Sequence, residues 1–100
     1  VQDFLVPAIA QYYEGKPQVE RDEGMRSCGL VGMTIMLMAK ELGYDTCPMD
    51  GFDYEAVGKI VELPEDFEIA FMIAIGKGTK APWPKPGQLP LEDVLIEHRF

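Results

Sequence analysis

Histidine occurs once in this 100-residue chain and cysteine twice, and each scarcity removes a class of chemistry. His98 has no evident partner for a Ser-His-Asp arrangement, so catalysis of that kind is not expected. Cys28 and Cys47 fit neither a zinc-ligand spacing nor a disulfide framework. Both are expected reduced, buried and structural, which suits a cytoplasmic protein, and no metal site is expected. Basic residues are also in deficit: 9 Lys and Arg stand against 17 Asp and Glu, for a net charge of -8. Such a surface repels a phosphate backbone, which argues against nucleic acid and anionic membranes as partners. Long apolar runs are absent too. The most apolar window, Cys28 to Ala39, falls short of the roughly 20 residues a membrane helix needs. Nothing within these residues resembles a basic leader followed by an apolar run and a cleavage site, so no signal peptide is expected there. The chain opens at Val1 without an initiator methionine, and upstream residues are expected.

What is present is enough to fold. The hydrophobic share is 47% and the charged share 26%, as in an ordinary globular protein. A chain of this length makes one small domain and hides roughly two-thirds of its surface. Apolar spacing from Phe4 to Tyr13 predicts a helix, with Pro7 in its first turn and Gly15 as its stop. Glu14 to Arg21 reads as a loop. A second helix is predicted over about 23–42, capped by Asp22 and stopped by Gly43. Its apolar residues, including Leu30, Val31, Met33, Ile35 and Leu37, surround the axis, so it must be covered on several sides. Gly24, Gly29 and Gly32 inside it suggest that something approaches its backbone closely. A third, short helix is capped by Asp53, places Val57, Ile60 and Val61 on one face, and ends before Pro64.

Between these last two helices lies Tyr44-Asp45-Thr46-Cys47-Pro48-Met49-Asp50-Gly51-Phe52, which periodicity treats as a connection and Met49-Asp50-Gly51 as a surface turn. The apolar run from Glu68 to Ile75 predicts a strand buried on both faces. From Lys77 to Pro90 the chain is too rich in proline for helix or central sheet, and Val94-Leu95-Ile96 is expected to form a last short strand. One long strand cannot make a sheet, so further strands are expected from elsewhere.

Several blocks, in order, carry a resemblance. They are Met25-Arg26-Ser27; the helix ending Ala39-Lys40-Glu41-Leu42-Gly43-Tyr44-Asp45; Cys47-Pro48-Met49-Asp50-Gly51-Phe52-Asp53; Leu63-Pro64-Glu65-Asp66; the strand from Phe71 to Gly76; and Pro84-Lys85-Pro86-Gly87-Gln88-Leu89-Pro90-Leu91-Glu92-Asp93-Val94. Over nearly all 100 residues the chain resembles the C-terminal half of the nitroreductase-family flavoproteins. The resemblance implies an α+β sandwich with a central sheet flanked by helices. This chain would supply the C-terminal part of a single domain: a long interface helix, a short helix, a buried strand and an extended arm. It implies FMN as cofactor, NAD(P)H as co-substrate, a homodimer, and a small-molecule acceptor such as a nitroaromatic or quinone. The implied cofactor-binding residues are Pro48 and Met49 beside the flavin ring, the amides of Asp50 and Gly51 at flavin N5 and O4, and Lys85 and Gln88 toward the FMN phosphate. Gln88 stands where many relatives carry arginine. No catalytic side chain is implied, because hydride chemistry belongs to the cofactor.

Other features carry less. Gly76-Lys77-Gly78-Thr79-Lys80 lacks the spacing of a phosphate loop and reads as the end of a strand. Ser27-Cys28 lies within a helix and is no nucleophile elbow. The methionines read as packing. The competing class is a non-catalytic interaction module that dimerises through its helix and arm without a cofactor.

Overall fold

Capping chemistry sets the helix boundaries in this chain, and those boundaries fix where its sheet begins. The computed structural model describes residues 1–98. They form α1 (Gln2–Tyr13), α2 (Pro17–Glu41), β1 (Asp45–Met49), α3 (Tyr54–Ile60), β2 (Met72–Gly76) and α4 (Leu91–Val94). In α1, Pro7 stands inside the helix and not in its first turn, so the Asp3 carbonyl lacks its usual N–H partner. Gly15 ends the turn after α1 with φ of 70°, a left-handed conformation that suits glycine.

The second helix starts earlier than its composition suggests. Pro17 occupies the first turn of α2, where a missing N–H costs nothing and a fixed φ helps, so the expected loop over 14–21 shrinks to a short turn. Asp22 therefore lies inside the helix and caps nothing; its carboxylate accepts from Gln18 Nε2 at 2.7 Å. At the other end Gly43 takes φ of 80°. Its N–H donates to Lys40 O and that of Tyr44 to Ala39 O, at 3.0 and 2.9 Å. This Schellman arrangement closes α2 and turns the chain directly into β1. Asp53 caps α3 as predicted, accepting from the Ala56 N–H at 3.0 Å.

Residues 45–49 are a strand and not merely a connection, because the non-local partner β2 is available to pair with them. The two run antiparallel, with Asp45 opposite Gly76, Pro48 opposite Ile73 and Met49 opposite Met72. Pro48 has no N–H to give, so its pair must be of the non-hydrogen-bonded kind, its backbone facing away from β2. Alternation then assigns the bonded pairs to Asp45, Cys47 and Met49.

β2 is shorter than the predicted strand and is not buried on both faces. It spans Met72–Gly76, and Ile75 retains 52% exposure. At the end of the chain Val94 closes α4, and Leu95 and Ile96 form no strand. Pro90 at the cap, followed by Glu92 and Asp93 in the first turn, favours that helical turn over an extended segment. The stretch between Lys77 and Pro90 is free of helix and strand, as expected.

The β1–β2 pair lies against α2, and the seam is Phe71 on Gly32. A Cβ at position 32 would sit 2.2 Å from the tip of the Phe71 ring, so only glycine admits the ring there. A Cβ at Gly24 or Gly29 would meet nothing within 4 Å beyond the helix's own backbone. Ala39 is the buried hydrophobic residue among those described, while Leu30 is 68% and Trp83 93% exposed. Cys28 and Cys47 are exposed, against expectation, because no element among the described residues covers their faces. The accessible surface is 9398 Å², against about 5,700 Å² for a globular chain of this mass. The radius of gyration, 18.6 Å, exceeds the ~13 Å of a self-contained domain of this length. The apolar girdle of α2 is thus covered on one side only. No helix among the described residues is long and apolar enough to cross a membrane.

In the intact protein Gly32→Ala should lower stability by about 1–3 kcal/mol, the usual cost of overpacking. Adding Phe71→Leu should recover part of it. Thermal denaturation of the single and double variants checks this; equal midpoints for wild type and Gly32→Ala would show that the seam is loose.

Candidate functional site

The end of β1 delivers Pro48, Met49, Asp50 and Gly51 to one rim of the sheet. Pro48 and Met49 are the last residues of the strand; Asp50 and Gly51 follow it, exposed and outside any helix or strand. With Pro48 facing away from β2, Met49 faces toward it, and the next backbone group, at Asp50, faces away again. Neither the Asp50 nor the Gly51 N–H has an acceptor among the described residues. These two donors stand beside a groove of about 320 Å³ lined by Pro48, Met49, Asp50, Ala70 and Phe71. Its side chains other than Asp50 are apolar, and polar groups make up nearly half of its lining. Phe71 is held in place from behind by Gly32 of α2. A Cβ at Gly51 would meet nothing within 4 Å, so the chain itself imposes no steric reason for glycine there.

Lys85 and Gln88 come together on the arm, where the lysine ammonium donates to the Gln88 side-chain oxygen. No hydrogen bond or ion pair among the described residues joins them to Pro48–Gly51. The structure thus presents the six predicted residues as two separate groups, both exposed.

Sequence reasoning missed Ala70 and Phe71, the residues before β2 that complete the groove. It also missed Asp45, whose two carboxylate oxygens tie three segments. Oδ1 accepts from Lys40 Nζ in the last turn of α2 at 2.9 Å, and Oδ2 from the Gly78 N–H at 3.1 Å. Lys77 adds a bond to the Gly43 carbonyl at 3.0 Å and sits 4.4 Å from the Tyr44 ring centre. The stretch from Gly76 to Lys80 is therefore a strand-ending loop in which Lys77 and the Gly78 N–H serve this clamp. Lys40, by hydrogen bond and by charge, holds the Asp45 carboxyl below its ordinary value, with smaller help from the Gly78 N–H and Lys77. No signal in the sequence picks out Asp45 until 45–49 is paired with 72–76.

Comparison with known proteins decides the family. The sequence model of the Nitroreductase family matches residues 4–77. The chain belongs to the nitroreductase family. Protein DrgA of Synechocystis sp. is 49% identical over 100 residues, covering 95% of this chain and 48% of that protein. MhqN of Bacillus subtilis, named among the NAD(P)H nitroreductases, is 42% identical over 95 residues, covering 93% and 46%. A nitroreductase of Exiguobacterium sibiricum solved in complex with FMN superposes with a TM-score of 0.84 at 32% identity, over 95% of this chain and 46% of that one. The Bacillus subtilis nitroreductase ydfN gives 0.81 at 36%, over 95% and 44%. The α+β architecture is thus that of a nitroreductase, and the chain spans about half the length of the curated relatives it matches.

A carboxylate with a depressed folded pKa contributes stability above its unfolded value and loses it as pH falls through the folded one. The Asp45 clamp should therefore hold from neutral pH down to about 4 and loosen only below that. The Gly78 amide proton should titrate in NMR spectra with a midpoint under the ordinary aspartate value, and Asp45→Asn should abolish the titration. A wild-type midpoint at or above the ordinary value would contradict the clamp.

Proposed function

We propose that the protein carrying this chain is an FMN-dependent NAD(P)H oxidoreductase, and that these residues form the C-terminal part of its single nitroreductase-like domain. One observation carries the reading: the amides of Asp50 and Gly51 have no acceptor among the described residues and follow directly on Pro48 and Met49, which share a groove with Asp50 and Phe71. Two free donors beside the side chains of Pro48, Met49 and Phe71 fit the polar edge and the faces of an isoalloxazine ring. Membership of a family with a solved FMN complex agrees. When bound, FMN supplies the redox chemistry, passing hydride from NAD(P)H to a nitroaromatic, quinone or related acceptor that takes its turn at the same face.

The chain's own residues bind and orient. The Asp50 and Gly51 amides donate to the N5 and O4 edge, where fixed dipoles stabilise negative charge without reorganising. The Asp50 carboxylate is a bystander. Pro48 and Met49 pack beside the ring, and Pro48 stiffens the approach. Lys85, which here donates to Gln88, would hold the FMN phosphate as a point charge, and Gln88 would donate alongside. No acid or base of this chain is required.

Uncovered apolar surface supports the remaining parts of the proposal. A groove of about 600 Å³ runs between α2 and the sheet, lined by Val31, Gly32, Ile35, Phe71, Ile73 and Ile75 among others. A surface so apolar fits the remainder of the domain and a second subunit of a cytoplasmic homodimer, not water.

The intact protein should purify with flavin absorbance or acquire it from added FMN. Since nothing in the chain crowds Gly51, Gly51→Leu should keep the fold yet weaken FMN binding by about 10–100-fold, the worth of one or two lost hydrogen bonds. A colourless protein that ignores FMN, or a Gly51→Leu variant that binds it unchanged, would defeat the proposal.

A further inference from the structure

The aim of the Asp50 amide depends on the register of β1, and few backbone bonds set that register. β1 and β2 share five residue pairs, and Pro48 removes one donor from the strand. A slip by one residue would reverse every side chain and every backbone direction. Pro48 would then face β2 with no N–H to offer, and the Asp50 N–H would turn toward β2 and no longer be a free donor.

The side chain of Asp45 works against such a slip at the start of the strand. Both its oxygens are used, each by a different element: Lys40 of α2 on Oδ1 and the Gly78 N–H, two residues past β2, on Oδ2. A neighbouring residue has no equivalent. Thr46 offers a hydroxyl and Tyr44 a ring already under Lys77. Asparagine at 45 would keep one acceptor and turn its NH2 toward either an ammonium or an N–H. Gly78 is matched to this use, because a Cβ there would lie 2.3 Å from Asp45 Oδ2. The pair thus closes only with a carboxylate at 45 and no side chain at 78.

We propose that Asp45, with Lys40 and Gly78, is a positioning device for the cofactor site: it fixes the register of β1 so that the Asp50 amide faces away from β2 and stays free to donate. The device touches no ligand, and it rests on the flavin reading given above. It accounts for a polar cluster that makes no contact with the groove yet closes the far end of the same strand.

The test uses the intact protein loaded with FMN. Asp45→Asn and Gly78→Ala should each raise the FMN dissociation constant about tenfold. They should also shift the visible absorption of the bound flavin at saturating FMN, a signature that a change in folded fraction alone does not move. Glu55→Gln, which breaks the exposed Lys59–Glu55 pair on α3, should leave both unchanged. If wild type binds FMN and Gly51→Leu weakens that binding, while Asp45→Asn and Gly78→Ala bind with wild-type affinity and spectrum, the positioning role is overturned and the flavin reading stands. If wild type binds no FMN, the flavin reading itself fails. Should Asp45→Asn not fold, Lys40→Met and Gly78→Ala carry the test, and flavin loss only in proportion to lost folded protein overturns the proposal.

Discussion

The ring of Phe71 occupies the space that any side chain at position 32 would need, and the placement of the site follows from that contact. It brings the residues just before β2 onto the middle of α2. β1 joins β2 by backbone pairing, and its entry is set by the Schellman turn that ends α2 at Gly43. Phe71 is also one wall of the groove beside Pro48, so a single side chain serves both the seam of the fold and the shape of the site. Displacing it would loosen the sheet and open the groove together.

The ionic contacts near this seam contribute geometry more than energy. Lys40, Asp45, Arg21 and Glu68 are all substantially exposed, and pairs of that kind are worth little individually. Hydrophobic burial within the chain is also slight, with Ala39 its buried apolar residue among those described. Stability must come from surfaces that these residues offer outward. The excess of accessible area over that of a globular chain of equal mass is of the order buried in obligate assemblies. The apolar girdle of α2 and the exposed Trp83 belong to that account.

Local signals in the sequence were legible where the chemistry is local. Asp53 as a cap, Gly43 as a stop and the proline-rich arm are each decided by residues within a turn of one another. Pro17 was misjudged because a Gly-x-Pro stretch looks like a loop until the helix that follows is seen to start on the proline. β1 was hidden for a different reason: a proline in a short polar stretch argues against a strand, and only the partner at 72–76 shows that Pro48 lies on the outward edge. Val94-Leu95-Ile96 has the composition of a strand but finds no partner among the described residues. The cysteines were expected inside because isolated thiols usually are, whereas burial depends on what covers them. For the site, Met49-Asp50-Gly51 was a turn on residues alone, and the family resemblance supplied the flavin. Phe71 and Asp45 became visible only once the strands were paired.

The central claim is about two backbone atoms, the amide nitrogens of Asp50 and Gly51. Amide NMR spectra of the intact protein, recorded without and with saturating FMN, observe them directly. Both N–H resonances should move strongly downfield on binding, as new hydrogen bonds form, while those of α3 stay in place. FMN binding that leaves the Asp50 and Gly51 amides unmoved would contradict it.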